Sequence, residues 1–171
     1  ANMKEKNLAV DLLERLLRDE VKHRMKTDVV SEKKYSDRIM ETLRKYHNRA
    51  IETAQVIEEL IKMAKDMAAD AELAEQSGLN SDEIAFYRAL IQNESAVKEL
   101  GDNNLRELAK YVTEQLRKST TVDWQVRDSV RAKLRNLVRR ALRKWKYPPD
   151  KANEAIELCL QQAEALSQSW V

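Results

Sequence analysis

Two glycines and two prolines in 171 residues leave this chain few means of making tight turns, hairpins or phosphate-cradling loops. Gly-rich nucleotide-binding motifs are absent as a consequence. Aromatics amount to 5% of the residues, too few for extensive stacking platforms. The single cysteine, Cys159, excludes an internal disulfide and a two-cysteine metal site, and its apolar setting beside Ile156, Leu158 and Leu160 suits a buried thiol. No apolar run approaches the roughly 18 residues that a membrane-spanning helix needs, and the N-terminus carries no signal-peptide pattern. These features predict a cytoplasmic chain. It opens Ala1-Asn2-Met3, as expected of a segment cut from a longer polypeptide.

What remains is a composition of 43% hydrophobic and 35% charged residues, enough for a core and strongly biased toward helix. The fold class expected is all-α, about seven helices with no sheet. Its organising stretch runs from Ser31 to Ser77, 47 residues without Gly or Pro. Tyr35, Ile39, Leu43, Tyr46, Ala50, Val56, Ile57, Leu60, Ile61, Ala64, Met67, Ala68 and Ala71 recur three and four apart along one side of a helix. One long helix is predicted, about 70 Å if unbroken, with Asn48 and Ala68 as the places for a kink.

Before it, Lys4 to about Lys26 reads as an amphipathic helix built on Leu8, Val10, Leu12, Leu13, Leu16, Leu17 and Val21, and Ser31 reads as the next N-cap. After it, Gly78 is placed as a left-handed C-terminal cap and 80–83 as a fresh N-terminus. Residues 81–100 read as two helical pieces broken near Asn93 and closed by Gly101. Asp102 then opens a helix with Leu105, Leu108, Ala109, Val112 and Leu116 inward. A break at 120–123 precedes a basic helix, Trp124 to about Lys146, and Pro148-Pro149 introduces the terminal helix, Asp150 to about Trp170. The organisation expected is one helical domain, or two sub-bundles covering 1–77 and 78–171.

Charge is distributed unevenly. Residues 51–100 hold four Lys/Arg against eleven Asp/Glu, and residues 121–147 hold nine against two. On a helical wheel of 121–147, Val126, Val130, Leu134, Leu137, Val138, Ala141, Leu142 and Trp145 share one sector. Arg135, Arg139, Arg143 and Lys146 lie on one flank and Lys133, Arg140 and Lys144 on the other. These seven are the candidate residues for binding DNA or a protein partner. Arg127 and Arg131 project into the apolar sector, which predicts pairing with carboxylates inside the bundle. The plain alternative for the basic face is a solvated surface neutralised by the acidic middle of the same chain.

No catalytic residue, metal ligand or cofactor site is predicted. Glu20-Val21-Lys22 and Glu32-Lys33-Lys34 fit a Glu-x-Lys nuclease triplet, but a chain rich in Glu and Lys forms such triplets by chance and a nuclease needs one on a strand. His23 and His47 stand apart from each other, which favours surface or capping roles over metal binding. Trp124, Trp145 and Trp170 read as core anchors rather than base-stacking platforms.

Several runs nevertheless carry a resemblance. They include Lys45-Tyr-His-Asn-Arg-Ala-Ile-Glu-Thr-Ala-Gln-Val-Ile-Glu-Glu-Leu-Ile61, Asp82-Glu-Ile-Ala-Phe-Tyr-Arg-Ala-Leu90, Asn93-Glu-Ser-Ala-Val97 and Arg143-Lys-Trp-Lys-Tyr-Pro-Pro-Asp-Lys151, together with residues 8–22 and 122–135. In order and spacing these resemble the C-terminal helical region of the R (restriction, motor) subunit of type I restriction endonucleases. The resemblance implies an ATP-dependent DNA translocase and endonuclease partnered by methyltransferase and specificity subunits, in a bacterial or archaeal cytoplasm. Its nuclease core and motor lobes, with their ATP and Mg, would lie upstream. The function expected here is a non-catalytic assembly module that docks the subunit on the methyltransferase-specificity core and contacts DNA through the basic helix. The alternative is a free-standing nucleic-acid-binding helical domain.

Overall fold

The computed structural model describes the backbone of residues 3–119 and 127–170 and the side chains of 7–119 and 128–167. Among the described residues there are seven α-helices and no strand: α1 Met3–Arg24, α2 Val29–His47, α3 Thr53–Gln76, α4 Ser81–Leu90, α5 Glu94–Ser119, α6 Arg127–Lys144 and α7 Ala152–Trp170. A 3-10 turn, Pro149–Lys151, leads into α7. The break expected at 120–123, Trp124, Val126 and the side chains of Arg127 and Trp170 lie outside the described residues.

The single helix expected from Ser31 to Ser77 is two helices, α2 and α3. Arg49 takes a left-handed φ of 58°. Its N–H donates to the Tyr46 carbonyl at 3.0 Å while the Ala50 N–H donates to the Lys45 carbonyl at 2.8 Å, the paired bonds of a Schellman cap. The Gln55 side chain then accepts the Glu52 N–H at 2.9 Å and starts α3. The break begins at Asn48, one of the two places expected for a kink; glycine is the usual residue at the left-handed position, so an arginine there hides that the kink is a full stop. The helix runs on through Ala68. Ser31, expected as an N-cap, is instead buried within α2.

The chain forms two compact units. The first, Ala1–Lys26 with Ser31–Ser77, packs α1, α2 and α3 around Val10, Leu17, Val21, Tyr35, Ile39, Leu43, Val56, Leu60, Met63 and Met67. Polar contacts join α2 to α3: the Tyr35 hydroxyl donates to Asp70, and Arg38 pairs with Asp66 at 3.1 Å. Tyr46 donates to Asn7 on α1. Two readings of apolar faces are corrected here. Met63 is buried in place of Ile61, Ala64 and Ala68, which are exposed, and Leu8, Leu12 and Leu16 of α1 point away from this core.

The second unit comprises Thr27–Val30 and Gly78–Val171. Gly78 has φ 78° as the cap after α3, and Asn80 opens α4 with reciprocal bonds to Glu83 at 2.8 and 2.9 Å. Gly101 (φ 77°, ψ 164°) kinks α5, so its two halves pack separately. Phe86 and Leu90 from α4, Leu105, Leu108, Val112 and Leu116 from α5, Leu134 and Val138 from α6, and Leu160 and Leu166 from α7 form a continuous core. Each of these is fully or almost fully buried, so truncating Phe86 to alanine costs about 3–5 kcal/mol. The Thr27–Val30 segment is held by side chains of the same unit. Gln162 accepts the Val29 N–H at 3.0 Å and donates to the Thr27 carbonyl, and Arg88 pairs with Asp28.

Candidate basic interface on α6

Helix α6 forms because Val130, Leu134, Val138, Ala141 and Leu142 recur three and four apart, and all five are buried against α5 and α7. That fixes the rotation of its basic and polar flanks. It ends without glycine: Lys146 takes φ 58°, its N–H bonds the Arg143 carbonyl at 3.0 Å, and the Tyr147 N–H bonds the Leu142 carbonyl at 2.9 Å. The turn inserts Tyr147 into the core, where its hydroxyl donates to the Leu90 carbonyl at 2.7 Å. Burial, foremost, pushes the Tyr147 pKa up. The Cys159 thiol, wholly buried in the same core, is pushed up to about 12 by desolvation and is poorly suited to be a nucleophile.

The seven basic residues singled out in the sequence do not form one set. Arg135 is half-exposed and turned toward α7, where it makes two hydrogen bonds to Glu157 at 2.8 and 3.0 Å. Arg131 lies beside it and pairs with carboxylates as expected, Glu157 at 3.2 Å and Glu164 at 3.3 Å, though these are partly exposed rather than inside the bundle. Sequence reasoning missed both acceptors. They lie seven residues apart on one face of α7, and this spacing matched against Arg131 and Arg135 was the available signal. The corresponding expectation for Arg127 falls on a side chain outside the described residues.

Lys133, Arg140, Arg143, Lys144 and Lys146 are exposed and Arg139 is partly so, and none makes an ion pair among the described residues. Arg139 meets only Asn136, at 3.4 Å. Lys144 lies 4.8 Å from the centroid of the Tyr111 ring and 5.4 Å from that of Trp145, two rings that themselves meet at 4.7 Å. Trp145 is thus partly a core anchor and partly a platform for a lysine. Beside it, Leu100, Asn104, Lys144, Trp145 and Lys146 line an open depression of about 340 Å³. A run of cations that makes no ion pair among the described residues can attract phosphates or an acidic protein surface.

The Glu20-Val21-Lys22 triplet is helical, and Glu20 pairs with Arg24 at 2.6 Å. His23 and His47 are both exposed. Among the described residues no group of three or more His, Cys, Asp or Glu side chains is placed to hold a metal ion, and no helix is long and apolar enough to cross a membrane.

These observations define an all-helical module whose distinguishing surface is basic. The chain belongs to the family described as type I restriction enzyme HindI endonuclease subunit-like, C-terminal, whose model matches residues 1–169. It is 44% identical over 167 residues to the HindI type I restriction enzyme endonuclease subunit of Haemophilus influenzae, covering 98% of this chain and 16% of that protein. It is also 29% identical over 142 residues to the MjaIXP type I restriction enzyme endonuclease subunit of Methanocaldococcus jannaschii, covering 79% of this chain and 13% of that protein. The chain therefore spans less than a fifth of the length of these relatives. No solved structure matches it.

Proposed function

We propose that this region is a non-catalytic assembly module, which docks the motor and nuclease parts of a type I restriction endonuclease subunit on the methyltransferase-specificity core and touches DNA through the outer face of α6. One observation carries the reading: Lys133, Arg139, Arg140, Arg143, Lys144 and Lys146 form a surface without ion-paired carboxylates among the described residues, while Arg131 and Arg135 are absorbed by α7. ATP and Mg belong, in this reading, to the upstream parts of the subunit.

The test is charge reversal on the outer face. Arg139→Glu/Arg143→Glu should leave the melting temperature within a few degrees of the parent, because neither side chain lies in the core. For DNA contact, affinity falls alike for every duplex sequence, and each lost phosphate contact lowers the slope of log affinity against log salt by about 0.9. For docking on an acidic protein surface, assembly with the methyltransferase-specificity core is lost while DNA affinity is unchanged. Binding and assembly both unaltered would leave α6 a solvated face and end the proposal.

A further inference from the structure

Helix α1 is apolar on two opposite sides. Val10, Leu17 and Val21 are 1%, 5% and 3% exposed in the core of the first unit, whereas Leu8, Leu12 and Leu16 are 62%, 57% and 53% exposed. At about 100° per residue the second set lies about 160° from the first, and its four-residue spacing makes one ridge roughly 12 Å long. Leucines exposed singly are ordinary; three in a continuous row form a patch, and a helix apolar on both sides is a helix with partners on both sides.

The surroundings narrow the occupant. Asp11, Arg15, Asp19, Glu20, Lys22 and Arg24 are exposed around and beyond the ridge, a rim of mixed charge with no excess of base. Nucleic acid and anionic lipid surfaces call for a basic margin, so the rim fits a protein. Three leucines fall far short of the approximately 800 Å² per partner of a stable interface between separate chains, which disfavours a second copy. A covalently attached partner needs much less contact, because the tether holds it at an effective concentration in the millimolar range. Such a partner exists in the relatives: the matched region is 16% of the HindI subunit, and the family is a C-terminal one, so the remainder of that subunit precedes the helix equivalent to α1.

We propose that the Leu8-Leu12-Leu16 ridge is the seat for an aliphatic or aromatic surface of the preceding polypeptide of the same subunit. This rests on the reading of the chain as the C-terminal module of such a subunit and deepens it by assigning the intrasubunit contact to α1, apart from the basic face of α6.

The experiment uses the full-length subunit alone, without DNA or other subunits, so that failure of the α6 reading leaves its result untouched. Leu12→Cys is alkylated and the reaction read at that residue by mass spectrometry, in the full-length subunit and in the 171-residue chain. Labelling at least tenfold slower in the full-length subunit is expected. In parallel, Leu8→Gln/Leu12→Gln/Leu16→Gln should speed proteolytic release of this region from the full-length subunit about tenfold, while shifting the melting temperature of the 171-residue chain by no more than a few degrees. Equal labelling rates in the two contexts would overturn the proposal. So would a 171-residue chain that sizes as a dimer and becomes monomeric on the triple substitution, since the ridge would then join two copies.

Discussion

Arg135 grips one carboxylate oxygen of Glu157 with both Nε and Nη2, at 3.0 and 2.8 Å, while Arg131, one turn earlier on α6, bonds the other oxygen at 3.2 Å. A single acid on α7 thereby neutralises two arginines on α6, and Lys133, Arg139, Arg140, Arg143 and Lys144 are left to face outward. The division follows from where α7 packs rather than from any difference among the arginines themselves.

Removing the inner partner should therefore read as stability. Arg131 is 22% exposed, and Arg131→Ala removes one charged donor from Glu164 and one of the two that serve Glu157, at a cost of about 1–3 kcal/mol. Arg135, at 38% exposed, is screened by solvent and should cost about 1 kcal/mol or less. Urea unfolding of both single variants, each also combined with Glu157→Gln, checks this; additive losses in the Arg131 cycle would show that the pair is not coupled.

The residues with positive φ predict substitutions of opposite sign. Gly101 sits at φ 77° and ψ 164°, a region essentially confined to glycine, with no heavy atom within 4 Å of an added Cβ. Gly101→Ala should destabilise by about 1–3 kcal/mol through the backbone alone. Arg49 and Lys146 occupy left-handed positions that glycine fills more easily. Arg49→Gly should thus stabilise by up to about 1 kcal/mol, measured as a raised urea midpoint. A lowered midpoint would mean that the arginine side chain contributes more than its backbone costs.

Alkaline pH should unfold the protein through its tyrosines. Tyr87 is pushed up to about 12 by burial and then by its hydrogen bond to Asp102, and burial likewise raises Tyr147. A tyrosine ionises by losing its proton, so with the folded pKa above the unfolded value near 10 the unfolded chain releases protons first. The contribution is complete below about pH 10 and declines as pH rises toward the folded value. Tyr147→Phe should flatten the fall in the urea midpoint between about pH 10 and 12, and should cost about 1 kcal/mol at neutral pH for the lost bond to the Leu90 carbonyl. A slope identical to that of the parent would sink this assignment.

The isolated chain should neither hydrolyse ATP nor cleave DNA. Its two Glu-x-Lys triplets lie in α1 and α2 rather than on a strand, Glu20 is paired to Arg24, and the described residues hold no group of three or more side chains placed to bind a metal ion. Supercoiled plasmid incubated with Mg or Mn should remain uncut; nicking abolished by Glu20→Ala would contradict this.

The helices themselves were legible in the sequence because helical periodicity and stop signals are local. Leu105, Leu108, Ala109, Val112 and Leu116 read as one inward face and are buried as one, and Gly78 and Gly101 mark stops because their left-handed backbone requires them. The stop at Arg49 was legible only as a kink near Asn48, since an arginine can adopt that conformation without announcing it. The resemblance carried by the runs from Leu8 to Lys151 also lay in the sequence, and the family match over residues 1–169 agrees with it.

What tertiary structure alone decided is which of two equivalent surfaces faces inward. On α1 both Val10/Leu17/Val21 and Leu8/Leu12/Leu16 have helical spacing, and packing in the first unit buries only the former. On α6 the wheel identifies the apolar stripe but assigns no partner to its flanks; Glu157 and Glu164 on α7 select Arg131 and Arg135 and leave Lys133, Arg140 and Arg143 exposed. Periodicity is a property of one helix, whereas burial and ion pairing are properties of two, and the second helix is set by contacts that lie many residues away in the chain.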